Sequence, residues 1–385
     1  MTPFQAIFVP DELAGTLSDR AWLAALLEAE RALAAAHGRA GTAPAESVAA
    51  IAAACDASSF DADELARAGR AGGNPVIPLV QELRERVGAS HAEYVHRGAT
   101  SQDIVDSAAM LVARAARGVI DAELDGLAAA CARHAEEHRD TVMAARTLLQ
   151  QAVPTTFGCK AAGWLVSVLA ARTRLAAVEL PAQLGGAAGT LAAFGDRGLE
   201  LAALYADELG LPEPGLPWHT NRLPVAELGG ALAAAAGVAA KIGTDVTLLA
   251  QTEVAEVGEG DAGGSSTMPH KQNPIAAVLA IACERHARAN ASVLEESVVA
   301  QHERAAGAWH AEWHALTTAL AAAGGAVAAA RRSLESLQVD VQRMRANLSA
   351  ATLSEAERFG GAQRPEDYLG SAGALVDRAL ARYRG

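Results

Sequence analysis

Aromatic side chains are scarce in this chain of 385 residues: Phe, Trp and Tyr make up 4%, whereas the hydrophobic class as a whole reaches 51%. Alanine and leucine must therefore fill the interior, which favours closely packed helices over sheets. Cysteine is also scarce, and no two cysteines form a CxxC pair. We interpret the four cysteines as small core residues of a reducing compartment rather than as metal ligands: Cys55, Cys131, Cys159 and Cys283.

Basic residues are outnumbered by acidic ones. Lys and Arg number 32 against 45 Asp and Glu, which gives a formal net charge of -13 and argues against a nucleic-acid or acidic-membrane partner. Charged residues interrupt the long alanine-rich stretches, and the N-terminus lacks a basic region followed by an apolar run. We therefore expect a cytoplasmic protein with no nucleic-acid or membrane partner. An anionic substrate would need a local basic pocket.

Apolar residues recur with helical spacing between residues 105 and 127, which predicts one long amphipathic helix. Prolines separate four comparable stretches, or fall at their starts, where proline is tolerated: 157–180, 226–257, 275–299 and 311–348. We predict an all-α protein with a central bundle of five long helices over residues 105–350. A small helical N-terminal domain, 1–104, precedes it, and a helical C-terminal domain, 351–385, follows. No strand hairpin is predicted.

The loop of residues 263–274 has the sequence GGSSTMPHKQNP and is the most informative segment of the chain. A glycine pair lets the backbone move over a ligand and present N–H groups to an anion. Lys271 supplies a positive charge for a carboxylate or phosphate, and Asn273 an amide that can orient it. A Gly-Ser stretch taken alone is more often a polar connection between helices. The whole pattern predicts an active-site lid.

Two other stretches place polar groups immediately before predicted helices. His96, Thr100 and Ser101 precede the first long helix, where free N–H groups and the helix dipole favour an anion. Thr100 or Ser101 acting only as an N-cap is an equally simple interpretation. Thr147 and Gln150 precede the next helix, and a polar turn between helices would explain them equally well.

A further stretch, 301–314, contains Arg304 and the histidines His310 and His314. The spacing of the two histidines puts both imidazoles on one helical face, where they could hold a metal ion with Glu312 nearby. The order of these residues is not the HExxH order, and the sequence places no third ligand. Metal binding is therefore the weaker interpretation.

These stretches resemble, in the same order, the catalytic regions of the fumarase/aspartase superfamily, whose loop reads GSSxMPxKxNP. Within it, the chain is most similar to the branch of bacterial 3-carboxy-cis,cis-muconate cycloisomerases. The segments that carry the resemblance are YVHRGATSQDIVDSA, RTLLQQAVPTTFG, PWHTNR, GGSSTMPHKQNP and HERAAGAWHAEW. The resemblance covers the chain to about residue 350, and we expect a C-terminal domain that is shortened relative to that of the family.

The resemblance implies a helical enzyme that binds a small tricarboxylate, needs no cofactor or metal, and is a homotetramer with sites shared between subunits. Ser265 would transfer the proton, and Lys271 and Asn273 would complete the catalytic group. The resemblance also implies a set of substrate-binding residues: His96, Thr100, Ser101, Thr147, Gln150, Arg222, Ser266, Met268 and Arg304.

Departures from the superfamily pattern help to choose the branch. Several lyases of the superfamily place a histidine and a glutamate where this chain has Leu148 and Val278. Replacing both members of a hydrogen-bonded pair by apolar residues is a coherent change of chemistry, because losing one alone costs roughly 1 to 3 kcal/mol. Many cycloisomerases have histidine where Gln151 stands. Three alternatives remain open: an adenylosuccinate lyase-type enzyme, a catalytically silent relative, and a metallohydrolase.

Overall fold

The computed structural model describes residues 3–260, 263–264, 272–359 and 363–385. Helices dominate this part of the chain, and the predicted all-α class is confirmed. The N-terminal region consists of mostly short helices around one long helix, α3: α1 (Pro3–Phe8), α2 (Asp11–Thr16), α3 (Asp19–Arg39), α4 (Ala45–Ala54), α5 (Ala62–Ala68) and α6 (Val76–Val87).

The five predicted long helices are all present, with bounds that differ from the predictions by up to about a dozen residues. The central region contains them and one shorter helix: α7 (Ser101–Glu137), α8 (Phe157–Ala176), α9 (Gly198–Leu209), α10 (Leu223–Leu249), α11 (Ile275–Glu296) and α12 (Ala308–Glu335). Small residues allow these helices to lie close together. At Gly243 in α10, an added Cβ would lie 2.6 Å from the carbonyl oxygen of Ala277 in α11, so only glycine permits this approach.

The described part of the C-terminal region contains three helices: α13 (Val341–Ala346), α14 (Ser354–Phe359) and α15 (Ala372–Arg384). Helix α15 packs on α7 and α8. Short 3₁₀ turns connect other parts of the described chain: Ala57–Ser59, Gly69–Ala71, Ala92–Tyr94, Ala192–Arg197, Ala350–Leu353 and Pro365–Tyr368.

A β-hairpin joins α7 to α8, so the expectation of no hairpin was wrong. Strands β1 (Val142–Thr147) and β2 (Gln150–Thr156) pair antiparallel around a two-residue turn. Leu148 and Leu149 form that turn with φ values of 50° and 65°. Two-residue turns of this kind normally use Asn and Gly, and each left-handed leucine costs roughly 1–2 kcal/mol. The residues that usually signal a hairpin are therefore missing.

Two smaller antiparallel pairs complete the described strands. Strand β3 (Val257–Glu259) pairs with β6 (Leu337–Val339). Strand β4 (Gly263–Gly264) pairs with β5 (Gln272–Asn273) at the base of the predicted lid.

The bundle has two ends that carry different parts of the predicted site. We define the first end by the start of α7 at Ser101, near which α10 and α12 also begin. There Arg222, just before α10, donates to Asp106 of α7 over 2.7 Å. The second end holds the C-terminus of α7 and the hairpin, where Arg146 and Glu256 pair over 2.6 Å. Helix α7 has 37 residues, so the ends lie about 55 Å apart.

Helices α10 and α12 are long and apolar enough to cross a membrane by length and composition alone, with 56% and 72% of the apolar window buried inside the fold. Buried core helices of a bundle have the same composition. Both helices pack against α11 and against each other.

Candidate active site

The first end of the bundle is organised by one buried carboxylate. Thr100 is the N-cap of α7, and its backbone N–H donates to Asp103 over 2.9 Å. Asp103 is fully buried and also accepts from the backbone N–H groups of Gly185 and Gly186. Its remaining contact is the His219 imidazole, at 2.7 Å. Three segments distant in sequence are thereby fixed around the first turn of α7.

His96 lies beside this helix start and is held by a buried carboxylate of α3. Its Nδ1 is 2.6 Å from Glu30 Oε1, and the Glu30 side chain is almost wholly buried. Burial alone would lower the pKa of His96, but the charge of Glu30 and its hydrogen bond outweigh that effect, so the pKa is raised. The backbone of His96 has a φ of 59°, a left-handed conformation that is strained for a residue other than glycine and is often found at functional sites.

Arg304 reaches the same place from the segment before α12. Its Nη1 donates to the Thr100 hydroxyl over 2.9 Å, and its Nη2 donates to the carbonyl oxygen of Ala187 over 3.1 Å. Among the described residues, the partners of the Arg304 guanidinium are a hydroxyl and a carbonyl rather than a carboxylate, and its Nε has no hydrogen-bond partner. The Thr100 oxygen accepts from Arg304, so its own proton is free to donate to a ligand.

Arg222 has a different position from the one predicted. Its guanidinium is buried and is bound by both Asp106 and Glu312, at 2.7 and 2.9 Å. Trp309 Nε1 donates to Asp106 over 3.0 Å, and Trp218 lies against the guanidinium. Two carboxylates already satisfy this cation, so the geometry favours a structural role for Arg222 at the first end over the predicted role in substrate binding.

An open cleft of about 650 Å³ lies beside the first end. His96 and Ser101 line it together with Arg84 and an apolar wall that includes Val76 and Val80. The described part of the chain thus brings four predicted ligands to one neighbourhood: His96, Thr100, Ser101 and Arg304. Free N–H groups at the start of a 37-residue helix and an unneutralised guanidinium suit a carboxylate there.

The other predicted residues belong to the second end. Thr147 and Gln150 flank the exposed hairpin tip. Six residues of strand extend at most about 20 Å, so the tip stays at least about 35 Å from Thr100 in the same chain. Asn273 lies in β5 and pairs with Gly263. Four predicted residues of the lid lie outside the described residues: Ser265, Ser266, Met268 and Lys271.

The base of the lid is anchored by a carboxylate that the sequence reasoning missed. Glu259, at the end of β3, accepts from the backbone N–H groups of Ala276 and Ala277 over 3.0 and 2.9 Å. These N–H groups belong to the first turn of α11, where they have no partner within the helix. Glu30, Asp106 and His219 were also missed as partners, because an isolated acidic or histidine residue in a sequence carries no sign of what it contacts.

The positions that set this chain apart from other lyases face solvent in the single chain. Leu148 is 97% exposed and Val278 is 46% exposed, although the sequence argument assigned them to the active site. Burial would have to come from other subunits. Gln151 donates to the carbonyl oxygen of Asn347 and accepts from the N–H of Ser349, so it ties the hairpin to the segment after α13.

The metallohydrolase alternative needs Glu312 beside the metal ion, but Glu312 has another partner. Glu312 is bound by Arg222, and burial, the largest effect, raises the pKa of Glu312. The His310 ring meets the Trp309 ring in a T-shaped contact and the Trp313 ring at a tilt. Glu312 is therefore not available to assist a metal ion held by His310 and His314.

The fold and the first end together define a helical-bundle enzyme that acts on small carboxylates. Residues 9–289 match the family model described as Lyase, and the chain belongs to the fumarase/aspartase superfamily.

Its relatives and structural neighbours agree with this assignment. A nitrosuccinate lyase of Streptomyces davaonensis is 49% identical, with 86% of this chain and 73% of the relative covered. A 3-carboxy-cis,cis-muconate cycloisomerase of Bradyrhizobium diazoefficiens is 47% identical, with 90% and 79% covered. The crystal structure of the 3-carboxy-cis,cis-muconate lactonizing enzyme from Pseudomonas putida superimposes with a TM-score of 0.91 at 36% identity, covering 99% of each chain.

Proposed function

We propose that this protein is a cycloisomerase that converts 3-carboxy-cis,cis-muconate to γ-carboxymuconolactone in the β-ketoadipate pathway of aromatic breakdown. The observation that carries the proposal is the unneutralised Arg304 beside Thr100 and His96, in a chain 47% identical to a cycloisomerase. The substrate has three carboxylates, and this group offers a guanidinium, a hydroxyl and a histidine with a raised pKa.

The reaction is an intramolecular addition. A substrate carboxylate oxygen forms a bond to one carbon of a conjugated double bond, and the electron pair moves onto a second carboxylate. A proton then adds to carbon and restores that carboxylate, so the product is an isomer of the substrate. No oxidant, reductant or cofactor is required by this balance.

The proposed roles follow from where charge develops. Ser265 delivers the proton to carbon, and Lys271 and Asn273 bind the carboxylate on which electrons collect. Such preorganised donors contribute roughly 3 to 4 kcal/mol each. His96, Thr100, Ser101 and Arg304 hold another carboxylate at the first end. Thr147, Gln150, Ser266 and Met268 complete the enclosure.

A second candidate function is elimination of nitrite from nitrosuccinate. The relative named nitrosuccinate lyase is 49% identical to this chain, and elimination next to a carboxylate is the reverse of the addition step. Nitrosuccinate carries two carboxylates and a nitro group whose oxygens also accept hydrogen bonds, so the same donors would fit it.

We further propose a homotetramer in which each active site combines segments of different chains. The separation of about 35 Å or more between Thr147 and Thr100 supports this. The exposed leucines Leu148 and Leu149 support it as well, since a strained apolar tip in water has no stabilising role in a single chain. Light scattering on the purified protein should give four times the chain mass. Fractionation of the source cells should place the protein in the cytoplasm.

A panel of substrates tests the proposed reaction. Chelator-treated protein should consume 3-carboxy-cis,cis-muconate, with loss of the diene absorbance in the ultraviolet, and should leave adenylosuccinate unchanged. Faster release of nitrite from nitrosuccinate would select the second candidate. Turnover of neither compound by folded protein would reject both.

A further inference from the structure

A separate group of potential ligands lies at the second end of the bundle, outside the proposed active site. His134 and Glu137 occupy the last turn of α7, and His138 is its C-cap. One ligand atom of each side chain lies within 4.8 Å of the others. Residues three and four apart share a helical face, so the spacing His-x-x-Glu-His brings all three side chains together.

His134 presents the lone pair that a metal ion needs. Its Nε2 is 2.7 Å from the carbonyl oxygen of Leu334 in α12. A carbonyl oxygen can only accept, so Nε2 carries the proton and Nδ1 is bare. Arg133 donates to the same carbonyl over 2.9 Å, on the Nε2 edge of the ring. His134 is 3% exposed.

The bare Nδ1 of His134 is buried and has no hydrogen-bond partner in the part of the chain that the structure describes. Buried polar atoms are normally satisfied, so this atom calls for a ligand. Metal-bound histidines usually donate their other ring N–H to a carbonyl or carboxylate, which is the contact that His134 makes with Leu334.

His138 supplies a second imidazole in a restrained position. Its Nδ1 is 3.1 Å from the Thr141 hydroxyl, which leaves Nε2 for a ligand. The rings of His134 and His138 are nearly parallel, with centroids 5.9 Å apart, and both are nearly perpendicular to the ring of Phe157. Glu137 is exposed and free to adjust.

We propose that His134, Glu137 and His138 bind Zn²⁺ or a similar divalent transition-metal ion. Two imidazole nitrogens and one carboxylate are ligands that such ions prefer. With bonds of about 2.0–2.1 Å, tetrahedral Zn²⁺ needs about 3.4 Å between ligand atoms. Glu137 and His138 therefore move inward by roughly 1 Å. The negative end of the α7 dipole favours a cation at this position.

A bound ion would stabilise the fold without taking part in the reaction. It would fix the end of α7, whose His134 contacts α12 at Leu334 and packs on Phe157 at the start of α8. Binding to the folded state alone raises the melting temperature as metal concentration increases.

The test uses full-length, tag-free protein, stripped with chelator and titrated with ZnCl₂ by calorimetry, with Co²⁺ absorbance as a second readout. We expect about one ion per chain and a higher Tm with Zn²⁺. His138→Gln should weaken binding by more than about 100-fold, because loss of even an outer partner costs about 10- to 100-fold. The matched control is His286→Gln, an exposed histidine of α11, which should bind as the unmodified protein does.

Glu137→Gln is a second test variant, and it should fold normally because Glu137 is exposed. It should keep its circular dichroism spectrum and weaken Zn²⁺ binding about 10-fold. Absence of binding to the unmodified protein, or equal binding by the His138 and His286 variants, would overturn the proposal.

Discussion

Arg304 Nη1 donates to the Thr100 hydroxyl over 2.9 Å, although 204 positions separate the two residues in the chain. Thr100 caps α7, and Arg304 lies just before α12. The contact therefore joins two stretches that sequence reasoning singled out independently. It places a guanidinium that has no carboxylate partner among the described residues at the positive end of the longest described helix.

Arg304→Gln should lower kcat/KM by about 10²-fold, because one charged donor that holds a substrate carboxylate in place is lost. Arg304→Lys should recover part of the loss, since it restores charge without the planar geometry. The control is Arg172→Gln, because the exposed Arg172 side chain pairs with Asp125. This change should leave kcat/KM unchanged. Equal kinetics for Arg304→Gln and the control would remove Arg304 from the site.

Ser265→Ala should reduce kcat by about 10²- to 10⁴-fold with little change in Tm, as expected for loss of a general acid. Ser266→Ala should have a milder effect. Single-turnover kinetics and thermal melts compare the two. A larger loss for Ser266→Ala would mean that the proton comes from the second serine.

The helices could be predicted because alanine and leucine recur with helical period, and prolines mark the breaks. The hairpin could not, because Leu148 and Leu149 take left-handed conformations without Asn or Gly. The partners of Arg222 could not be predicted for a related reason. A sequence shows its charge but not Asp106 and Glu312, which lie 116 and 90 positions away and neutralise it.

The pH dependence of KM should follow His96. Its pKa lies above its usual value of 6.5, and the cation binds carboxylate, so KM should stay low below that pKa and rise as the pH passes through it. Glu30→Gln removes the charge that raises the pKa and leaves burial, which lowers it. The rise in KM should then move to lower pH. An unchanged profile would show that His96 does not bind substrate.

The pair of His96 and Glu30 should also stabilise the fold, and more strongly at low pH than at high pH. The folded-state pKa is raised, so the stabilisation is fully present below the unfolded pKa and is lost as pH rises through the folded pKa. Glu30→Gln should therefore cost more free energy of unfolding near pH 6 than near pH 9. Urea denaturation at the two pH values measures this difference.

Arg222→Met should destabilise the protein by about 3–5 kcal/mol, because Asp106 and Glu312 would remain buried without a cation. Arg172→Gln breaks an exposed pair and should cost less than about 1 kcal/mol. Chemical denaturation compares the two variants. If Arg222→Met instead keeps its stability and raises only KM, the original prediction of a substrate ligand is restored.

The division of each active site between chains is tested most directly by mixing two inactive variants, Arg304→Gln at the first end and Thr147→Val at the second. After subunit exchange at equal amounts, about one quarter of the sites should contain neither change, and about one quarter of the unmodified activity should return. If both residues came from the same chain, every site would carry one defect. Activity that stays at the level of the separate variants, in mixtures shown by mass spectrometry to contain hybrids, would contradict the composite site.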